Sequence, residues 1–321
     1  MTTIDNTWTL DVIVVDPGEA GEFTIDQVDS KDISLDPTEF RGKPAGHGHA
    51  LMVAIMQMDA KVTFSSSQLV TLLTQLGATG ICGKAVDFYF KKKGCKGHDR
   101  TATDHIKITA QDGVMFWEQI ELPNSSEQNV GTMNCVFQAV WDGTNDLFTV
   151  TESVACPGTL TFDEAFVVGD VWVQDDGGTP FGVVNGVQKL TIQNNPTFKN
   201  KYSNGQPKPS AAQVEAYDPR IDIETLSSVN LVKVPEDGLK LDGTTGLLAY
   251  ARRLEPSKTR YANTEAQHIK ISAANGLVKM ATKSGSGTDD VTDTFQVCPV
   301  ATNDTTLEIT FTTAQQITAP V

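Results

Sequence analysis

The sequence predicts a mainly β protein made of two tandem β-sandwich or barrel-like domains, each with one short flanking helix and a long inter-strand loop. Three observations carry this prediction: an internal repeat, a series of short apolar runs separated by turn residues, and the scarcity of helical periodicity.

The repeat is clearest at His105-Ile106-Lys107-Ile108-Thr109-Ala110, which returns as His268-Ile269-Lys270-Ile271-Ser272-Ala273, an offset of 268 − 105 = 163. The same offset carries Gly80 onto Gly243 and Gly83 onto Gly246. Upstream the offset is 159: Asp11-Val12-Ile13-Val14 falls on Asp170-Val171-Trp172-Val173, and Pro37-Thr38 on Pro196-Thr197. Met58-Asp59-Ala60-Lys61-Val62 likewise falls on Tyr217-Asp218-Pro219-Arg220-Ile221. Downstream, at 158, Phe137-Gln138 falls on Phe295-Gln296 and Thr144-Asn145-Asp146 on Thr302-Asn303-Asp304. Blocks that keep their order while the offset drifts by a few residues point to duplication. The copies span 1–158 and 159–321, each long enough for its own core, with Ala155-Cys156-Pro157-Gly158 as the joint.

Within each copy the reading is strand after strand. Trp8 to Val15 and Phe166 to Val173 open the copies, followed by Glu22 to Val28 and Gly182 to Gln193. Long polar stretches follow, from Asp29 to Gly48 and from Asn194 to Ala211, and are read as loops of a length usually tied to function. A strand then ends at Val62-Thr63-Phe64 or Ile221-Asp222-Ile223. Leu69, Leu72, Leu73 and Leu76 share one face of a short helix that Ser66 would cap and Gly77 would end. In copy two Leu226, Val229 and Val232 take that place, cut short by Pro235. Val86 to Phe90, the His-Ile-Lys-Ile strand, Met115 to Leu122 and Leu147 to Val154 complete the pattern.

Charge narrows the function. A net charge of −15 excludes a protein that grips nucleic acid through Lys and Arg, and suits a wall along which DNA slides. No apolar run reaches the length of a membrane span, and Met1 to Asn6 lack the pattern of a secretory signal. Five cysteines (Cys82, Cys95, Cys135, Cys156, Cys298) are then read as reduced thiols of a cytoplasmic compartment. The sequons at Asn124 and Asn303 become incidental.

Candidate chemistry is sparse. His47-Gly48-His49 could present two imidazoles to a metal, and Cys82, Cys95, His98 and His105 form a looser cluster. Copy two keeps only His268 of these, so a site shared by both copies is not expected. There is no G-x-S-x-G elbow, phosphate-binding Gly-rich loop or H-E-x-x-H helix, and neither an enzyme nor a cofactor is expected. A basic hairpin does recur: Lys91, Lys92, Lys93, Lys96 and Arg100 in copy one, and Arg252, Arg253, Lys258 and Arg260 in copy two. It reads either as a solvated turn or as a docking surface for an acidic face of another subunit.

Copy two runs from Val184-Asn185-Gly186-Val187 through Leu190-Thr191-Ile192 to Pro196-Thr197-Phe198-Lys199-Asn200-Lys201-Tyr202. The loop Ser203-Asn204-Gly205-Gln206-Pro207 and the strand Tyr217 to Thr225 follow. This order resembles the tail tube proteins of long-tailed bacteriophages, in their duplicated-domain form. The resemblance implies a virion protein made in the bacterial cytoplasm, with trimeric, pseudo-hexameric rings stacked into a hollow conduit for DNA ejection. Its partners would be further copies of itself, other tail proteins and DNA passing unbound, with no membrane. It also implies that the long loop reaches across rings, which makes Phe40, Arg41, Phe198, Lys199 and Tyr202 candidate contacts. Two alternatives stay open: a distal tail or hub ring protein of the same fold, and a tandem β-sandwich binding module for a carbohydrate or host surface.

Overall fold

The computed structural model describes residues 8–319, apart from 43–44, 46–48, 50–51, 93–98, 125–128, 159–163, 175–179, 185, 227–233, 242, 244–245, 256–259, 285–291 and 302–307. The chain is mainly β. Its first half contains β1 (Trp8–Val15), β2 (Phe23–Ile25), β3 (Val28–Gly42), β4 (Met52–Ser66), helix α1 (Leu69–Leu76) and β5 (Ile81–Cys82). It continues with β6 (Val86–Lys92), β7 (His105–Ala110), β8 (Gly113–Pro123), β9 (Thr132–Ala139) and β10 (Thr149–Val154). The second half contains β11 (Phe166–Gln174), β12 (Pro180–Val183), β13 (Val187–Gln193), β14 (Thr197–Lys201), β15 (Ala211–Ala216) and β16 (Arg220–Thr225). After these come β17 (Leu239–Lys240), β18 (Leu247–Arg253), β19 (His268–Ala273), β20 (Asn275–Ser284), β21 (Thr292–Val300) and β22 (Thr310–Gln315).

The two halves repeat one topology. A five-stranded sheet ordered β10-β7-β6-β1-β2 is matched by β22-β19-β18-β11-β12. The remaining long strands form a single sheet, β17-β20-β21-β16-β13-β8-β9-β4-β3, with β5 beside β8. Reading each half of this sheet in the same direction, β20, β21, β16 and β13 of the second half correspond to β8, β9, β4 and β3 of the first. The junction falls where β13 of the second half pairs with β8 of the first. Apolar side chains from all three sheets meet in one contiguous core, rather than one core per half. Phe88 of the first five-stranded sheet meets Phe137 of the large sheet edge-on at 5.6 Å.

Bulges recur at matching places, and they decide which side chains face inward. On β8 the buried Met115 and Trp117 give way to Ile120 and Leu122, a change of parity caused by the register shift between Trp117 and Gln119. The counterpart on β20 lies between Met280 and Thr282. Register also refines the offsets. Val15 faces Val86 where Val173 faces Leu247, so the first strand matches at 173 − 15 = 158, one less than the sequence alignment gave. That single residue restores Ile13 to Val171 and Val15 to Val173 as the inward pairs. Phe137 faces Val62 where Val297 faces Ile221, so this strand matches at 160, not 158. Ala85 and Gly246 each accept a backbone bond from the end of the opening strand, so Gly246 corresponds to Ala85 and not to Gly83.

Two sequence expectations are corrected. The predicted loop from Asp29 to Gly48 is mostly β3, which runs with β4 as a long hairpin. The stretch from Asn194 to Ala211 contains β14, the outgoing strand of the equivalent hairpin with β15. Much of each hairpin extends beyond the ladder of the main sheet as a two-stranded arm. The β3–β4 ribbon is wet on both faces and has no strict alternation, while the β14–β15 ribbon alternates but turns Asn200 as well as apolar residues inward, so both sequences resemble loops. The expected strand from Gly182 to Gln193 is also split, with a turn at Gly186 (φ 72°) between β12 and β13.

The helix forms where expected. Leu69, Leu72, Leu73 and Leu76 are buried, and Gly77 follows with φ 60°. Ser66 is not its cap; its hydroxyl accepts from the N–H of Gln68, the residue before the helix. Instead Glu164 reaches back from the second half and accepts from Val70 N–H (2.8 Å) and the Thr71 hydroxyl (3.1 Å). The copy-two helix positions Val229 and Val232 lie outside the described residues.

Candidate assembly interface

The most developed surface of the chain is the one it makes with itself. At the junction β13 adds to β8 with Leu190 opposite Leu122 and Ile192 opposite Ile120, all buried. Lys189 pairs with Glu121 across the seam at 2.5 Å. Asn194 donates to the carbonyls of Ala78 (3.2 Å) and Trp117 (3.4 Å), and the Tyr217 hydroxyl donates to Thr79 O. Phe311 of β22 meets the Trp117 ring edge-on at 5.7 Å.

The β14–β15 arm then lies across the outer face of the first half. Phe198 stacks on Phe116 at 5.4 Å and 22°, while Ala212 and Val214 pack on the same patch with Val114 and Val136. Asn200 and the Tyr202 hydroxyl both donate to Asp59 Oδ1 at 2.5 Å. Burial, and then this bond to a carboxylate, push the Tyr202 phenol up to about 12. Beyond the arm, Pro207 O accepts from Met58 N–H and Pro209 O from Trp141 N–H. Lys208 lies over the Trp141 ring at 5.7 Å and pairs with Asp146 at 2.7 Å.

The candidate residues fall into three groups. Phe198 and Tyr202 dock one half onto the other within the same chain, and Lys199 pairs with Glu215 on its own arm at 3.5 Å. Phe40 and Arg41 lie on the first-half arm, both exposed, with Arg41 paired to Glu39 at 2.9 Å. In the basic hairpins, Lys91 and Lys92 end β6 against Thr9 and Trp8, and Lys93 lies outside the described residues. Arg100 is buried on Asp11 at 2.7 Å. Arg252 bonds Asn263 at 2.5 Å and lies 3.6 Å from Asp170; Arg253 bonds Gln267 at 2.8 Å and lies over the Tyr261 ring. The copy-two arginines are therefore engaged in closing their own hairpin.

His105 and His268, which marked the repeat, do the same structural task. Each buried ring places Nε2 against a carbonyl six residues upstream, Asp99 O at 3.0 Å and Ala262 O at 3.1 Å. His268 Nδ1 also accepts from Arg253 N–H, so the neutral tautomer with a proton on Nε2 fits both bonds. Burial lowers its pKa. Of the predicted metal candidates, His49 is exposed, while His47, Cys95 and His98 lie outside the described residues. Among the described residues no group of three or more His, Cys, Asp or Glu could hold a metal ion. Cys82, Cys135, Cys156 and Cys298 are free.

A broad groove of about 870 Å³ lies between the β1–β2 turn and β7. There Asp16 takes Lys84 (2.5 Å), and Asp87 takes Lys107 (3.2 Å) and Thr109 (2.5 Å). Among the described residues no helix is long and apolar enough to cross a membrane. No known protein family matches the chain, and no curated protein resembles it in sequence.

Sequence reasoning missed Phe116, Asp59 and Glu164. Their roles depend on contacts between halves, and no local pattern marks them. The alignment of Pro37-Thr38 with Pro196-Thr197 was the available signal, because it fixes the register of one arm against the other.

Proposed function

We propose that this chain is a structural virion protein, a duplicated subunit of a bacteriophage tail tube. Three copies close a pseudo-sixfold ring, and the rings stack into a hollow conduit for DNA. The observation that carries this reading is the junction of β13 with β8. Their counterparts, β3 and the far end of β20, are the two edges at which the large sheet stops among the described residues. A seam already made once within the chain can then be repeated between chains, with β3 of one copy added to β20 of the next. The register transfers directly: Ile192 faces Ile120 in the chain, so Ile33 faces Lys283 of the next copy. A repeated head-to-tail seam closes into a ring when its rotation divides the circle. The net charge of −15 suits a conduit that duplex DNA must leave without sticking.

Negative-stain microscopy of the purified protein tests the proposal. Long hollow tubes are expected. Isolated closed rings would transfer the reading to a tail-end ring component, and monomers at every concentration would overturn it.

A further inference from the structure

The arms offer a second contact that the seam alone does not require. The β3–β4 arm matches the β14–β15 arm residue for residue at an offset of 159, including its bulge. The register shifts between Thr38 and Glu39 in one and between Thr197 and Phe198 in the other. Val53 and Ile55 therefore occupy the places of Ala212 and Val214, which dock on the first-half sheet. Both are exposed large apolar residues.

The receiving surface has a counterpart too, and it is uncovered. Val114 is 3% exposed beneath the docked arm, and its equivalent Leu277 is 40% exposed. Val140 at 7% becomes Val300 at 58%. Apolar residues on both surfaces stand in water because the chain holds only one of the two arm-on-sheet contacts its topology implies.

We infer that the β3–β4 arm of one copy docks on the outer face of β20 and β21 of a second copy, held by two ion pairs that replace the uncharged contacts of the internal arm. The replacement is specific. Phe198 stacks on Phe116; the equivalents are Glu39 (198 − 159) and Lys279 (116 + 163). Asn200 bonds Asp59; the equivalents are Arg41 (200 − 159) and Asp218 (59 + 159). Both replacements put opposite charges face to face. Lys279 is exposed and makes no ion pair among the described residues. Among the described residues, Arg41 and Asp218 are paired only to neighbours two residues away, Glu39 and Arg220, at 2.9 Å each. Such exposed local pairs hold little energy and yield readily to a partner that also buries Val53 and Ile55. The swap from apolar to charged contact explains how the joints within and between chains stay distinct: the internal arm offers no charge to Lys279, and the outer arm offers no ring to Phe116.

This inference rests on the ring reading for the identity of its partner, a second copy of the chain. Sedimentation velocity on the full-length protein at fixed salt tests it. Glu39→Lys and Lys279→Glu should each raise the concentration needed for association about tenfold, and the double reversal should restore it. Arg41→Asp with Asp218→Arg forms a second, independent cycle. Single reversals that assemble like the parent, or a double reversal no better than the singles, would overturn the arm contact and leave the rings standing. Rescue in both cycles with open chains instead of closed rings would keep the arm contact and overturn the ring. A parent protein that never associates would overturn both.

Discussion

The two hairpin arms share a register and a bulge, yet one is docked and the other is bare. The β14–β15 arm rests on Phe116 and Asp59, while the β3–β4 arm presents Phe40, Met52, Val53 and Met56 to solvent. Topology built both arms the same way; side chains alone decide what each one seeks. The difference teaches that a repeat should be read for its mismatches. Where the halves agree, as at His105 and His268, the residue serves the fold. Where they disagree, as at Phe198 and Glu39, the residue separates a contact within the chain from one outside it.

The sharpest way to break this comparison is to truncate both receiving surfaces. Phe116→Ala removes a buried ring from under the docked arm and should cost about 3–5 kcal/mol in urea unfolding. Lys279→Ala at the equivalent place should change the stability of the single chain by no more than about 0.5 kcal/mol. Equal losses would mean that the two faces do not differ as described. Next in size is the tie between halves at the helix. Glu164→Ala leaves the Val70 N–H and Thr71 hydroxyl without their carboxylate and should cost about 1 kcal/mol.

The histidine pair sharpens the comparison through pH. Burial favours neutral His268 in the folded chain, whereas the unfolded chain takes up the proton near its ordinary pKa of about 6.5. The stability that His268 contributes is therefore complete above that pH and is lost as pH falls below it. Stability measured between pH 7.5 and 5.5 should fall more steeply for the parent than for His268→Gln; parallel curves would count against a buried neutral ring. The smallest effect belongs to the seam's ion pair. Lys189 and Glu121 are both partly exposed, so Lys189→Ala should cost about 0.2–1 kcal/mol while the β13–β8 pairing persists.

The β class, the repeat and the leucine face of the helix were legible because each leaves a periodic or repeated mark in the sequence. The arms were not: the β3–β4 ribbon is wet on both faces and carries no alternation, and the β14–β15 ribbon alternates but turns Asn200 as well as apolar residues inward, so the polar residues of both imitate a loop. The opening strands were misaligned by one residue because Asp11-Val12 is identical to Asp170-Val171, whereas the pairing of both strands, each with a one-residue bulge at the same place, sets the match at 158. Ser66 carried the right chemistry for a cap but sat too early, and the helix drew its acceptor from Glu164, 94 positions after Val70 and outside any local pattern. Of the candidate contacts between rings, Phe198 and Tyr202 instead meet Phe116 and Asp59 of the same chain. The seam could not be foreseen from either copy alone, because it is a relation between copies.

The central claim is that the seam and the arm contact made within the chain are made again between chains until a ring closes. Native mass spectrometry of the assembled protein counts the chains in the smallest closed particle. Three chains are the result this account predicts. A closed particle of two or six chains, or a chain that remains single at every concentration, would contradict it.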